Sequence, residues 1–176
     1  MAKYKKKKQP QETASVADIA RKQAQPSANL KTAKHTPQLM AQKRASFALQ
    51  VVQRAIENTA IEDSEFKSQV RRLPGMLQVN GFGQAIAFYY AKGKSGNLPA
   101  CGEVYTLLEH WLCDENDQSP YHGVDAAEPR LLTAMTQSDQ HAYRQAQAET
   151  HALLQWVKRF CEGLIVKERD ATSEGA

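Results

Sequence analysis

A histidine and a cysteine lie one helical turn apart in this sequence, at His110 and Cys113, and both are residue types that bind zinc. His122 and Cys161 are candidates for remote partners of the same ion. Structural zinc sites usually carry paired CxxC or HxxxH modules, whereas Cys101, Cys113 and Cys161 each stand alone among apolar residues. The pattern therefore favours buried free thiols, and we expect neither a metal site nor a cofactor.

The same residue types could serve nucleophilic catalysis, in which a histidine activates a thiol or a hydroxyl. No glycine-flanked nucleophile or strand–turn–helix elbow surrounds any of them. The Gly81-Phe82-Gly83 segment follows no predicted strand and lacks the third glycine of a dinucleotide-binding loop. We therefore expect a protein that is not an enzyme, and keep an enzyme built on His110, Cys113 and nearby acids as the weakest alternative.

Two acidic clusters lie at predicted helix boundaries, one at residues 62–65 and one at residues 114–117. Carboxylates in a first helical turn interact favourably with the helix dipole, and this accounts for the first cluster. The second is expected in a solvated loop, with a weak divalent-ion contact as the alternative.

Basic side chains form the more informative pattern. Residues 1–36 hold nine basic and two acidic side chains, whereas residues 37–176 hold 14 basic and 17 acidic ones. The net charge of +4 therefore combines +7 in the first segment with −3 in the rest. Within the acidic part the cations still cluster on the predicted helices, at Lys43, Arg44, Arg54, Lys67, Arg71, Arg72, Lys92, Lys94, Lys158 and Arg159.

Lys67 and Arg71 are four residues apart, so they are predicted to share one helix face. A set of cations of this kind can follow a phosphate backbone without reading bases. An ordinary solvated charged face is the alternative interpretation.

The elements that position these residues are predicted to be helices throughout, because apolar side chains recur at three- and four-residue steps. The fold class is all-α, a compact bundle of about five or six helices. The predicted helices run from Pro37 to about Thr59, from Asp63 to Leu73 with an end or kink at Pro74-Gly75, from Gln84 to Lys92, from Pro99 to Leu112, from Asp125 to Met135, and from about Asp139 to Leu164 or Ile165.

Local signals add detail to this bundle. Ser138 is the predicted cap of the last helix, and Asn80-Gly81 is a predicted tight reversal because both residue types tolerate a positive φ. Four aromatic side chains are expected to supply core area. They are Phe88, Tyr105, Trp111 and Trp156.

Three segments are expected along the chain. Residues 1–36 hold too few large apolar side chains to offset the entropy of ordering them, which predicts a disordered lysine-rich extension. The helical domain is assigned to residues 37–168 and a flexible C-terminal tail to residues 169–176. No apolar run is long enough for a membrane span, and the three cysteines do not make a disulfide framework, so we expect a cytoplasmic protein.

The order of motifs suggests a relationship. The motifs are Arg44-Ala45 with Ala48, the run LPGMLQVNGFGQAIAF at residues 73–88, Lys92, the stripe Tyr105, Leu108, Trp111 and Leu112, and Glu149, Leu153, Leu154, Trp156, Lys158 and Arg159. Over about residues 38–165 the chain resembles the small subunit of the CRISPR type III-B (Cmr) effector complex. It departs from that family in the extension of residues 1–36 and in Phe82, which stands where leucine is expected.

The resemblance implies a compact helical subunit without catalytic activity, acting in antiviral defence. Copies of it would stack as a filament beside the guide RNA–target RNA duplex, in contact with the backbone and large subunits of the complex. It carries RNA-backbone contact onto Arg44 and Lys92, which lie in the matching motifs. We add Lys67, Arg71 and Arg72 from their charge and spacing. A helical protein–protein adaptor without RNA contact is the alternative.

Overall fold

The structure is a computed structural model that describes residues 39–165. Within that range it contains six α-helices and no strand, which confirms the predicted all-α fold. The helices are α1 (Met40–Glu57), α2 (Asp63–Asn80), α3 (Phe82–Lys94), α4 (Pro99–His110), α5 (Arg130–Gln137) and α6 (Gln140–Leu164). The extension of residues 1–36 and the tail of residues 169–176 lie outside the described residues, and the segment bounds stay predictions.

One apolar core joins all six helices. The long helix α6 packs along α1, α3 packs along α4, and α2 lies against α3, α4 and α6. A π-helical segment, Trp111–Glu115, continues α4 and keeps Trp111 almost fully buried. Between residues 39 and 165, none of the helices combines the length and the apolar character needed to cross a bilayer.

The junction between α2 and α3 depends on one glycine and one tyrosine. Of the two residues at the predicted reversal, Gly81 adopts a positive φ, of +80°, and Asn80 is the last residue of α2. The Gly83 N–H, free at the start of α3, donates to the Tyr143 hydroxyl of α6 at 2.7 Å. Phe82 is fully buried, with its ring edge-on to Tyr143, so the core accepts phenylalanine at this position.

Two predicted helix bounds are wrong for reasons that involve proline. Of the two outcomes predicted at Pro74-Gly75, an end of the helix is wrong, because the helix continues to Asn80 with Leu73 and Leu77 buried in the core on either side of the proline. The helix expected from Asp125 begins only at Arg130. Pro129 precedes it in extended backbone, and a proline disfavours helical geometry in the residue before it.

The predicted cap of the last helix is wrong. Asp139, not Ser138, caps α6, since its carboxylate accepts from the Ala142 N–H at 2.8 Å. The Ser138 hydroxyl instead donates to the Met135 carbonyl at 3.1 Å and lies 3.0 Å from the Tyr121 hydroxyl. The first described helix begins at Met40, and the predicted start at Pro37 lies outside the described residues.

The backbones of helices α3 and α4 are in contact at two glycines. A Cβ atom added to Gly93 would lie 2.2 Å from the Gly102 Cα, and one added to Gly102 would lie 3.1 Å from the Gly93 Cα. Only residues without side chains allow this backbone contact. It fixes the C-terminal turn of α3, which carries Lys92.

The Gly93 to alanine variant (G93A) is expected to lower the free energy of unfolding by about 2 kcal/mol, because the added methyl group must push two backbones apart. The measurement is urea denaturation followed by circular dichroism. The matched control is G163A in α6, where an added Cβ meets nothing within 4 Å and alanine should stabilise the helix by up to about 1 kcal/mol. Equal stability of G93A and the unmodified chain would contradict the close contact.

Candidate nucleic-acid interface

Arg44, predicted to contact RNA, is engaged within the protein. Its Nε and Nη2 donate to Oε1 and Oε2 of Glu149 at 2.8 and 2.7 Å, and the Trp111 indole N–H donates to the same Oε1 at 2.9 Å. The Arg44 and Glu149 side chains are only 22% and 13% exposed. This bidentate pair joins α1 to α6, and Trp111 adds the π-helical segment to it.

Opposing effects act on the Glu149 carboxyl group. Burial alone would raise its pKa, but the hydrogen bonds from Arg44 and Trp111, together with the Arg44 charge, hold the pKa below its ordinary value. Glu149 is therefore ionised at neutral pH, and Arg44 keeps its counter-ion.

Lys67 and Arg71 both reach the C-terminal end of α6, as expected for two side chains on one face of α2. The Lys67 ammonium donates to the Ile165 carbonyl oxygen. The Arg71 guanidinium lies 3.3 Å from the Glu162 carboxylate, and both of these side chains are more than 40% exposed. An exposed pair of this kind contributes little to stability, so Arg71 can change partner at small cost.

Arg72 and Lys92 surround the ring of Phe88. The Arg72 Cζ and the Lys92 Nζ each lie 5.7 Å from the ring centroid. Among residues 39–165 neither cation has a carboxylate at ion-pair distance. Phe88 was expected in the core but is only half-buried, so its ring lies where it can hold both cationic groups by cation–π attraction. We call these three residues the Phe88 cluster.

The five predicted residues thus fall into three groups. Arg44 lies apart from the others in the pair with Glu149, Lys67 and Arg71 lie at the end of α6, and Arg72 and Lys92 meet at Phe88. Phe88 is a surface residue of the cluster that was not among the predicted site residues. The four-residue spacing from Phe88 to Lys92 was the available signal, since it places the two side chains on one face of a helix.

The residues considered for metal binding or nucleophilic catalysis are placed differently. Cys101, Cys113 and Cys161 are buried, and burial raises the pKa of Cys113 to about 11 and that of Cys161 to about 12. These thiols are protonated at neutral pH and so lack the thiolate that nucleophilic attack needs. The His110 Nε2 lies 3.4 Å from the Glu115 carboxylate. Within the described range no group of three or more His, Cys, Asp or Glu side chains is placed to hold a metal ion.

A comparison with protein families supplies an independent finding. The model of the Cas_Cmr5 family, described as a CRISPR-associated protein, matches residues 40–164. This range begins with the first residue of α1, ends with the last residue of α6, and covers more than two thirds of the chain. No curated protein matches the sequence.

The Glu149 to glutamine variant (E149Q) is expected to lower the free energy of unfolding at pH 7 by about 2 kcal/mol, because it leaves the part-buried Arg44 without its counter-ion. The folded-state pKa of Glu149 is depressed, so its stabilising contribution is complete above the ordinary glutamate pKa and is lost as the pH falls. The difference between E149Q and the unmodified chain should therefore shrink below about pH 4.

The measurement is urea denaturation at several pH values. The control is E103Q on α4, a half-buried glutamate without an ion pair in the described range, which should change stability by no more than about 0.5 kcal/mol. A pH-independent difference for E149Q would show that the carboxylate charge is not the stabilising element.

Proposed function

The chain belongs to the Cas_Cmr5 family, the small subunits of the CRISPR Cmr complex, and we propose that it is a non-catalytic subunit that contacts the backbone of target RNA. The observation that carries this proposal is the Phe88 cluster. It presents two cations that have no carboxylate partner among the described residues, on a chain whose residues 37–176 are acidic overall. A local concentration of positive charge against that background is a suitable site for phosphate groups.

The geometry of the cluster suits contact with a backbone better than recognition of bases. Arg72 and Lys92 offer N–H donors to phosphate oxygens, and such contacts position a strand without reading its sequence. The ring of Phe88 restrains both side chains near one point of the surface, so fewer rotamers are lost when a strand binds.

Lys67 and Arg71 extend the proposed surface along α2 towards the end of α6. Arg71 can leave Glu162 for a phosphate group at a small cost in free energy, because the ion pair between Arg71 and Glu162 is exposed to solvent. For Arg44 we propose a structural role instead, since contact with a phosphate would require it to leave a part-buried, bidentate carboxylate.

Membership of the family supports a proposal for the setting of this contact. We propose a type III-B complex in the cytoplasm, in which further copies of this chain stack as a filament beside the guide RNA–target RNA duplex. The backbone and large subunits are the other proposed partners, and the buried, protonated thiols support a role without catalysis.

Replacing both cations of the Phe88 cluster (R72Q/K92Q) is expected to weaken retention of target RNA by the assembled complex by about 25-fold at 0.1 M salt. The slope of log K against log salt should become shallower by about 1.4, since each single-strand contact contributes about 0.7. The measurement is a filter-binding series between about 50 and 300 mM KCl. Circular dichroism checks that the variant folds.

The matched control is K43Q/R54Q, which removes two positive charges from α1. It should leave both the affinity and the slope unchanged. If R72Q/K92Q binds like this control while assembling normally, the Phe88 cluster is wrongly assigned, and an adaptor without RNA contact becomes the better explanation.

The purified chain is expected to cleave neither RNA nor a phosphodiester model substrate, with or without Mg²⁺, Mn²⁺ or Zn²⁺. The measurement is gel analysis of labelled RNA after long incubation, with C113A and H110A as comparison variants. Metal-dependent cleavage that either substitution abolishes would contradict the non-catalytic assignment.

A further inference from the structure

A row of basic side chains follows the outer face of α6, and the proposed surface does not use it. Arg144, His151 and Lys158 are spaced seven residues apart, which is close to two helical turns, so they share a face. Arg144 and Lys158 are exposed, as is the neighbouring Arg159, and His151 is half-buried. We call Arg144, His151, Lys158 and Arg159 the α6 track.

The positive charge of the α6 track is not neutralised within the described range. Arg144, Lys158 and Arg159 have no carboxylate at ion-pair distance there. Glu162 lies four residues after Lys158 but pairs with Arg71 instead. The three cations also lie outside the first and last turns of α6, where the helix dipole acts, so the dipole does not account for them.

We propose that the α6 track is a binding site for the backbone of a single RNA strand, which continues there from the surface around Arg71. This inference rests on the proposed function and extends it to a second element. The Glu162 carboxylate lies 3.3 Å from Arg71 and four residues after Lys158 on α6, so Arg71 and Lys158 are near neighbours on the surface. The strand therefore meets Arg71, then Lys158 and Arg159, and finally Arg144.

The track is long enough for several nucleotides. Seven helical residues span about 10 Å, at about 1.5 Å each, so Arg144 and Lys158 lie about 20 Å apart along α6. The charges of one strand of a duplex are spaced by about 3.4 Å along its axis, so this length corresponds to about six nucleotides.

The composition of the face favours RNA over a protein partner. Protein interfaces are built around apolar and aromatic anchors that become fully buried. Between the cations the α6 track exposes Ala148 and Gln155, and from residue 141 to residue 159 it exposes no large apolar side chain. Trp156 and Phe160 lie on the flank of α6, but they are half-buried against the core and stack on each other, with ring centroids 6.0 Å apart.

The first test places a photo-crosslinking amino acid at Gln155, in the middle of the track, in the full chain within the reconstituted Cmr complex bound to a labelled target RNA. A second chain carries it at Ala91, next to Lys92. An RNA adduct at Gln155 is expected. An adduct at Gln155 with another copy or another subunit, or no RNA adduct there, overturns the α6 track.

The two positions separate this inference from the proposed function. An RNA adduct at Ala91 without one at Gln155 supports RNA contact at the Phe88 cluster and contradicts RNA contact at the α6 track. An RNA adduct at Gln155 alone supports the α6 track and contradicts RNA contact at the Phe88 cluster.

The second test is the triple variant R144Q/K158Q/R159Q in the same complex, with glutamine chosen because it preserves helix propensity. Its salt slope should become shallower by about 2, and its affinity for target RNA at 0.1 M salt should fall by about 100-fold. The control K43Q/R54Q/K94Q removes the same net charge from α1 and α3 and should change neither quantity. A triple variant that matches this control overturns the proposal.

Discussion

The pairing of Glu149 with Arg44 and Trp111 is the interaction on which the arrangement of the charged surface depends. One carboxylate receives three hydrogen bonds, from α1 and from the π-helical segment, and it lies on the inner face of α6. The pair therefore fixes the orientation of α6 about its own axis. Since the opposite face then points to solvent, the cations of α6 are exposed, while Tyr143 of the same helix reaches the start of α3.

The basic side chains of this protein differ in their interactions because they differ in solvation. Where a guanidinium is part-buried, as at Arg44, its charge must be matched inside the protein, and it becomes a structural element. Where it is half-exposed, as at Arg71, water and a carboxylate compete for it and the pair is easily replaced. Where an aromatic ring is its neighbour, as at Arg72, it keeps its full charge and is still held in place.

Periodicity in the sequence was sufficient to predict an all-helical fold and the approximate extent of most helices, since apolar residues on one face must be buried. It was insufficient at Pro74, where burial of Leu73 and Leu77 carries the helix through a residue that normally ends one. The candidate site was predictable only in part. Lys67 and Arg71 share a face through local spacing, whereas the partner of Arg44 lies 105 residues away in the chain. No local pattern contains that contact.

The contact between Gly93 and Gly102 has a mechanical consequence for the surface next to it. Side chains at a helix crossing can change rotamer and absorb a small shift, but between two glycine backbones in contact there is no side chain that can yield. A displacement of the start of α4 towards α3 would therefore act directly on the C-terminal turn of α3. Lys92 lies in that turn, so its position would follow the position of α4.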